Sequence, residues 1–388
     1  MPGLTTKLFS RIQEIPEKDW AGIFPKELEN YYFFKALDES DFRKIRFYYA
    51  MVYESDIPVG AATFFLMDFQ LDMAVRGWLK CLTKAVKKVF PGILGIKIIF
   101  CGLPMGHGRI GIAGQRAVVW PPVAKATGQK KGVLEAVVEC MEKLAKQEKA
   151  LVIAFKDFDA SYGGLLQGLQ SLGFVRIASL PTTVMNINFD NFDGYLKTLS
   201  RSSREGFKRK LKKIAQGPKF DLEITSQVNA QLSCQMHELY MQTVSNSEVE
   251  FEELPSDFFA NISRNTAERA RFFFWRLNGK LIAFAYCLIL DAYFIDYYLG
   301  FDYSVAHKYN LYFVRFRDLI SWCIDNKMKV YEMGQSSYEV KRRLGFEFVP
   351  LNAYCKPASR LILPLFKFYN KFLVFEKFDP VFKEMNKR

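Results

Sequence analysis

The sequence is poor in the side chains that most often announce a chemistry. Only three histidines occur in 388 residues, His107, His237 and His307, and none stands at ligand spacing from another. The seven cysteines are scattered from Cys81 to Cys355, odd in number and without a C-x-x-C pair. A disulfide framework and a zinc centre are thereby excluded as organising devices, and a reducing, cytoplasmic setting is expected. No apolar run reaches the roughly 18 residues that a membrane span needs. The nearest, Leu281 to Leu290, stops at Asp291 and reads as a strand. The stretch Met1 to Trp20 has no hydrophobic signal core. Neither a metal nor a permanently bound cofactor is expected.

What is present is a globular composition with two biases. Half the residues are hydrophobic and 16% are aromatic, enough both for large cores and for apolar pockets. Lys and Arg exceed Asp and Glu by 13, a surplus that attracts nucleotide cofactors, nucleic acid or anionic headgroups without choosing among them. The length favours two domains.

The pattern along the chain repeats. Arg46–Tyr53 and Val59–Met67 flank a turn and read as a hairpin. Residues 73–90 have helical period with a Lys face and an apolar face, Gly95–Cys101 is a short strand, and glycines punctuate 102–114 as a flexible loop. Residues 130–147 are helical, Leu151–Phe155 a strand, Gly164–Ser171 a short helix, and Gly173-Phe174 opens another strand. The second half runs in the same order: a hairpin through Asn278-Gly279, a strand at Ala292–Gly300, a helix at 309–326, a strand at Val330–Met333, a turn at Glu339–Leu344, and a strand opened by Gly345-Phe346. Both halves end on Leu-Gly-Phe, at Leu172-Gly173-Phe174 and Leu344-Gly345-Phe346, which points to a duplicated unit. Between them lies a basic helix, Arg201, Arg204, Lys208, Arg209, Lys210, Lys212 and Lys213, with Ser202 and Glu205 spaced as a capping box.

The string Tyr195-Leu-Lys-Thr-Leu-Ser-Arg-Ser-Ser-Arg204 running into that helix resembles the entry to the Fem-like branch of the GNAT superfamily. So do Leu299-Gly300-Phe301-Asp302, the helix from Asn310, Glu332-Met333-Gly334, Tyr338-x-x-Lys341 and Gly345. That branch includes predicted acyltransferases of peptidoglycan, cellulose and lipid biosynthesis. The resemblance implies an α/β (α+β) fold with tandem GNAT-like acyltransferase domains, their mixed central sheets flanked by helices. The halves would be 1–188 and 189–360, followed by an amphipathic aromatic and basic tail at 361–388. The usual phosphate loop, Gln/Arg-x-x-Gly-x-Gly/Ala, is replaced here by Ala306-His307-Lys308-Tyr309-Asn310. A strand-to-helix loop still offers free N–H groups to a phosphate, and Lys308 adds charge. Ala306, His307, Lys308, Tyr309 and Asn310 are therefore the expected donor-binding residues.

Acyl transfer needs a base for the amine and an acid for the leaving thiolate. Asp296 interrupts an apolar strand and is the candidate base; by period two it shares a face with Phe294 and Tyr298. Tyr338 and Lys341, three apart on one helical turn, are candidates to protonate the thiolate and to bind phosphate. The equally available bland readings are an exposed carboxylate, a surface turn and a solvated loop. Glu248, Glu250, Glu252 and Glu253 form an acidic loop that would suit a cationic amine, or merely face solvent.

The resulting expectation is an N-acyltransferase using acyl-CoA or an acyl carrier protein thioester as co-substrate. Its acceptor would be an amphipathic amine of a lipid or of the cell envelope. Bacterial ceramide synthases, which acylate a sphingoid base, resemble this branch. The amphipathic segments at 73–90 and 361–388 suggest a peripheral place on an anionic membrane surface at its inner face. Two alternatives stand: a Fem-like transferase that takes its group from aminoacyl-tRNA to a peptidoglycan precursor, with tRNA held by residues 201–213, and a non-catalytic envelope-binding protein.

Overall fold

The computed structural model describes residues 3–70, 95–114, 128–247 and 252–358. The segments at 73–90 and 361–388, and Glu248 and Glu250, lie outside them.

The first half comprises β1 (Leu4–Phe9), α1 (Glu17–Ile23), α2 (Tyr31–Asp38), β2 (Ile45–Glu54), β3 (Ile57–Gln70), β4 (Gly95–Cys101), β5 (Ile110–Ile112), α3 (Gly128–Glu148), β6 (Val152–Asp159), α4 (Gly163–Leu166), α5 (Gly168–Ser171) and β7 (Val175–Asn186). Two helices follow, α6 (Phe192–Thr198) and α7 (Arg201–Ala215). The second half comprises β8 (Asp221–Thr225), α8 (Ala230–Ser245), α9 (Phe258–Thr266), β9 (Ala270–Leu277), β10 (Lys280–Leu290), β11 (Tyr293–Phe301), α10 (Tyr303–Ala306), α11 (Leu311–Asp325), β12 (Val330–Glu332), α12 (Tyr338–Arg343) and β13 (Glu347–Pro357). Apart from β5 and a second short helix in the first half and α10 in the second, the halves share one order: strand, two helices, three strands, helix, strand, short helix, strand.

Local chemistry explains the shared parts. Both hairpins close on two residues with positive φ, Ser55-Asp56 and Asn278-Gly279, the geometry that the twist of paired strands requires. In each Leu-Gly-Phe the glycine has positive φ, +86° at Gly173 and +82° at Gly345, and turns a short helix into the last strand of its half. Helix α7 begins two residues earlier than the capping-box spacing suggests. Ser200 is the cap, its Oγ accepting from the Ser203 N–H at 3.3 Å, and Glu205 pairs with Arg201 instead.

The two expected sheets are one. A 13-stranded sheet runs β1-β2-β3-β4-β6-β13-β7-β12-β11-β10-β9-β8, with β5 beside β3. Its centre is made by exchange. The last strand of the first half, β7, pairs with β12 of the second (Val184 to Asn186 with Glu332 to Val330). The last strand of the second half, β13, pairs with β6 of the first. The exchanged strands pair with each other, antiparallel, from Val175↔Cys355 to Val184↔Glu347. The order therefore has a pseudo-two-fold axis between β7 and β13. Such an axis leaves equivalent helices on the same face. Accordingly α1, α2, α8 and α9 share one core, which includes Trp20, Phe33, Tyr49, Phe258, Phe272 and Tyr286. On the other face α3 packs beneath the first half and α6, α7 and α11 beneath the second.

Candidate functional site

The elements that meet across the pseudo-axis bring together a cluster of ionisable groups from both halves. The chain leaving β4 folds back over β6. Gly108 donates its N–H to Asp157 O at 3.0 Å, and a Cβ there would collide with the Lys156 carbonyl and the Phe158 ring. A Cβ on Gly106 would lie 2.6 Å from the Tyr297 hydroxyl. The glycines at 106, 108 and 111 thus serve close packing, not the flexible loop expected from their spacing, and they carry His107 and Arg109 into the seam.

His107 Nε2 lies 2.6 Å from Glu332 Oε1 at the end of β12. Glu332 also accepts from Thr182 on β7 and Tyr293 on β11. Burial opposes charge on both groups, but each supplies the other's counter-charge, and the pairing wins. The imidazole is pushed up to about 9 and the carboxyl down to about 2. Beside this pair Arg109 binds Glu27, with Nη2 3.5 Å from Glu29 Oε2.

Glu29 is the group with free capacity. One oxygen accepts from the Tyr297 hydroxyl; the other makes no hydrogen bond among the described residues. Burial raises its pKa above the ordinary carboxyl value, against the lowering effect of Tyr297. The hydroxyl of Tyr286 on β10 is wholly buried, feels the Glu29 charge and likewise makes no hydrogen bond among the described residues. Glu27, Glu29, His107 and Arg109 line a small recess whose apolar walls include Phe24 and Phe34. Unsatisfied polar atoms buried against aromatic walls mark this recess as the candidate site.

The positions expected from sequence fall elsewhere, for a backbone reason. Tyr286 pairs with Tyr298 and Cys287 with Asp296, so Tyr297 is an extra residue, a β-bulge. The bulge breaks period two: Tyr298 lies with Tyr297 on the seam face and does not share a face with Asp296, as alternation had implied. Its hydroxyl donates to Glu252 Oε1 at 2.7 Å. Asp296 lies on the α11 face, paired with the fully buried Arg315 and accepting from Tyr331 at 2.9 Å. Tyr338 donates to Pro181 O at 2.9 Å. Lys341 Nζ donates to the carbonyls of Met333, Gly334 and Gln335 at 2.7, 3.1 and 2.9 Å, and burial pushes its pKa down to about 7. Asp296 and Lys341 share one electrostatic neighbourhood; Tyr298 is not part of it. The run 306–310 sits at the start of α11, with His307 and Lys308 exposed and Asn310 at the cap with φ +52°. Of the acidic loop, Glu253 pairs with Lys44.

Sequence reasoning missed His107, Glu332, Glu29 and Arg109 as a set. The signals for them are that the glycine run is interrupted by His and Arg, and that Glu332 stands in the Glu332-Met333-Gly334 string of the resemblance.

A family profile described as FemAB-like, peptidoglycan biosynthesis/recognition, matches residues 112–358. The chain belongs to the FemAB-like family. Among solved structures it is similar to FemX, at 12% identity and a TM-score of 0.56, over 94% of this chain and all of that one. It is similar to L-PGS from Bacillus licheniformis, at 11% identity and a TM-score of 0.53, over 92% of this chain and 97% of that one. These likenesses are of fold. In sequence it is 24% identical over 329 residues to "Putative 8-amino-7-oxononanoate synthase 2" of Mycobacterium tuberculosis, covering 82% of this chain and 41% of that protein. The FemAB-like chain thus spans about two fifths of the length of the curated relatives it matches.

Proposed function

We propose that this FemAB-like protein is an N-acyltransferase that moves an acyl group from a thioester to the primary amine of an amphipathic lipid or envelope acceptor, with a sphingoid base as the acceptor to test first. The observation that carries this is Glu29: a buried carboxyl whose second oxygen makes no hydrogen bond among the described residues and lies 3.5 Å from Arg109, with a raised pKa and aromatic walls beside it. The raised pKa suits a group that must take a proton from an ammonium or attacking amine near neutrality. The amine nitrogen bonds to the thioester carbonyl carbon as its proton passes to Glu29; the carbon–sulfur bond then breaks and the thiolate is reprotonated. The Tyr297 hydroxyl donates to that carboxylate, and the Tyr286 hydroxyl feels its charge. Asp296, Tyr338 and Lys341 act as positioning residues: Asp296 holds Arg315 between β11 and α11, and Lys341 and Tyr338 fix the chain that leaves β12.

Donor binding is assigned to residues 306–310, where the unpaired first N–H groups of α11 and the charge of Lys308 meet a phosphate of coenzyme A or of a carrier protein's arm. Two matched names denote enzymes with an aliphatic or lipid product, the putative 8-amino-7-oxononanoate synthase 2 and a putative lysylphosphatidylglycerol synthetase from Agrobacterium fabrum, and they motivate testing amphipathic acceptors. No helix among the described residues is long and apolar enough to cross a membrane; a peripheral position at the inner membrane face is part of the proposal. The test is release of free thiol from palmitoyl-CoA or a palmitoylated carrier protein with a panel of long-chain amines. Consumption of aminoacyl-tRNA with no thiol release from either donor sinks it. That second reading, a tRNA-dependent transferase, is favoured by one observation, the exposed basic face of α7.

A further inference from the structure

Helix α7 has two faces with different fates. Phe207 and Ile214 are buried in the core beneath the second half, with Leu211 packed against it. Lys208, Arg209, Lys212 and Lys213 are exposed, and among the described residues none has a carboxylate at ion-pairing distance. Four unneutralised cations within two turns repel one another and lower helix stability. A partner that carries negative charge relieves that repulsion.

The position of this face is informative. Lys210 Nζ stands 4.2 Å over the ring of Phe313, in the first turn of α11, and Phe207 meets the same ring at 5.4 Å. Phe220, just after α7, packs at 5.9 Å against Tyr309 in the run assigned to the donor. The basic face therefore adjoins the mouth of the donor site. Edge strand β8, which begins six residues after α7 ends, has Leu222 and Ile224 each 40% exposed. They pair with Trp275 and Phe273, so they lie on the same face of the sheet as α7. A pair of exposed aliphatic side chains bordered by a cationic helix has the chemistry of a protein-docking patch: apolar contact for adhesion, charge for steering.

We propose that the exposed face of α7, with Leu222 and Ile224, docks an acidic helical carrier protein that presents the acyl thioester on a phosphopantetheine arm to residues 306–310. This rests on the acyltransferase reading and narrows its donor. Free coenzyme A would occupy the loop but leave the outer turns of α7 and the β8 pair unused. An RNA would use the cations through its phosphates but leave the aliphatic pair on β8 without a role.

The test compares the whole protein with Lys208→Glu/Lys212→Glu and, as a milder variant, Lys208→Ala/Lys212→Ala. Fluorescence anisotropy reads binding of a labelled holo acyl carrier protein independently of turnover; thiol release reads transfer from palmitoyl carrier protein and from palmitoyl-CoA. The expected result is a fall of about tenfold or more in carrier binding and in kcat/KM with the carrier-bound donor, and less than about twofold with palmitoyl-CoA. Carrier binding that is unchanged, or equal loss with both donors, overturns the proposal. So does loss of binding to tRNA or to phosphatidylglycerol vesicles in place of carrier. If the carrier binds through these lysines and neither donor is turned over, the acyltransferase reading has failed and the docking surface has not.

Discussion

The two halves share an element order and differ in what becomes of their one parallel strand pair. In the first half β4 and β6 pair over four residues, and the chain then doubles back across them, sealed by Gly102 and Gly108 and by Lys156 donating to Pro104 O at 3.3 Å. In the second half β11 and β12 pair over only three residues. Beyond them the bulge at Tyr297 turns two adjacent tyrosines into the seam, and the chain runs on to residues 306–310, where His307 and Lys308 are exposed. In the first half the chain closes over this place, and the closing loop delivers His107 to Glu332 of the second half and Arg109 to Glu27 and Glu29 of its own.

This comparison can be broken in order of expected effect. Glu29→Gln keeps the shape of the recess and removes its base; kcat should fall about 10²–10⁴-fold with the melting temperature nearly kept, measured by thiol release and calorimetry. Equal activity would remove Glu29 from the chemistry. Gly108→Val tests the seal: with no room for a Cβ beside the Lys156 carbonyl, stability should drop by about 4 kcal/mol or more in urea titration. The same substitution at Gly114, whose Cβ would meet nothing within 4 Å, should cost less, although its φ of +74° adds strain.

The His107–Glu332 pair tests whether the halves are joined electrostatically. Glu332 is depressed from 4.5 to about 2, so its contribution is present above 4.5 and is lost as pH falls toward 2. His107 is raised from 6.5 to about 9, so its contribution is complete below 6.5 and is lost as pH rises through 9. Their joint stabilisation should peak between pH 4.5 and 6.5. Glu332→Gln should cost about 3–5 kcal/mol and return the imidazole pKa, read by NMR, below 9. An unchanged histidine titration would contradict the pairing. The smallest effect is at the surface: Arg201→Ala removes an exposed pair with Glu205 and should cost about 0.3–0.5 kcal/mol. A larger loss would mean that α7 depends on its own ion pairs more than on Phe207 and Ile214.

Local signals in the sequence were reliable where the cause of structure was local. Asn278-Gly279 marked its hairpin, and Leu-Gly-Phe marked the same turn twice because only glycine takes that φ cheaply. The helices at 130–147 and 309–326 were found to within two residues because their apolar faces recur at helical spacing. What stayed hidden was non-local or lay below the resolution of a period. The exchange of β7 and β13 leaves no trace in either strand's pattern. One extra residue at Tyr297 was enough to send Tyr298 to the face opposite Asp296. His107 and Glu332 are 225 positions apart, and neither stands in a motif that names the other. Glu29 looked like any acidic loop residue, since its importance comes from burial alone.

The crossed strands at the centre also constrain how the protein comes into being. Strand β6 has its second neighbour only when Glu347–Pro357 arrives, nearly two hundred residues later in synthesis. At about 5–20 residues per second a ribosome leaves that edge uncovered for roughly ten seconds or more, a period in which it can pair with the wrong chain. A nascent chain arrested before residue 347 should therefore bind chaperones along β6, while one released after residue 358 should not.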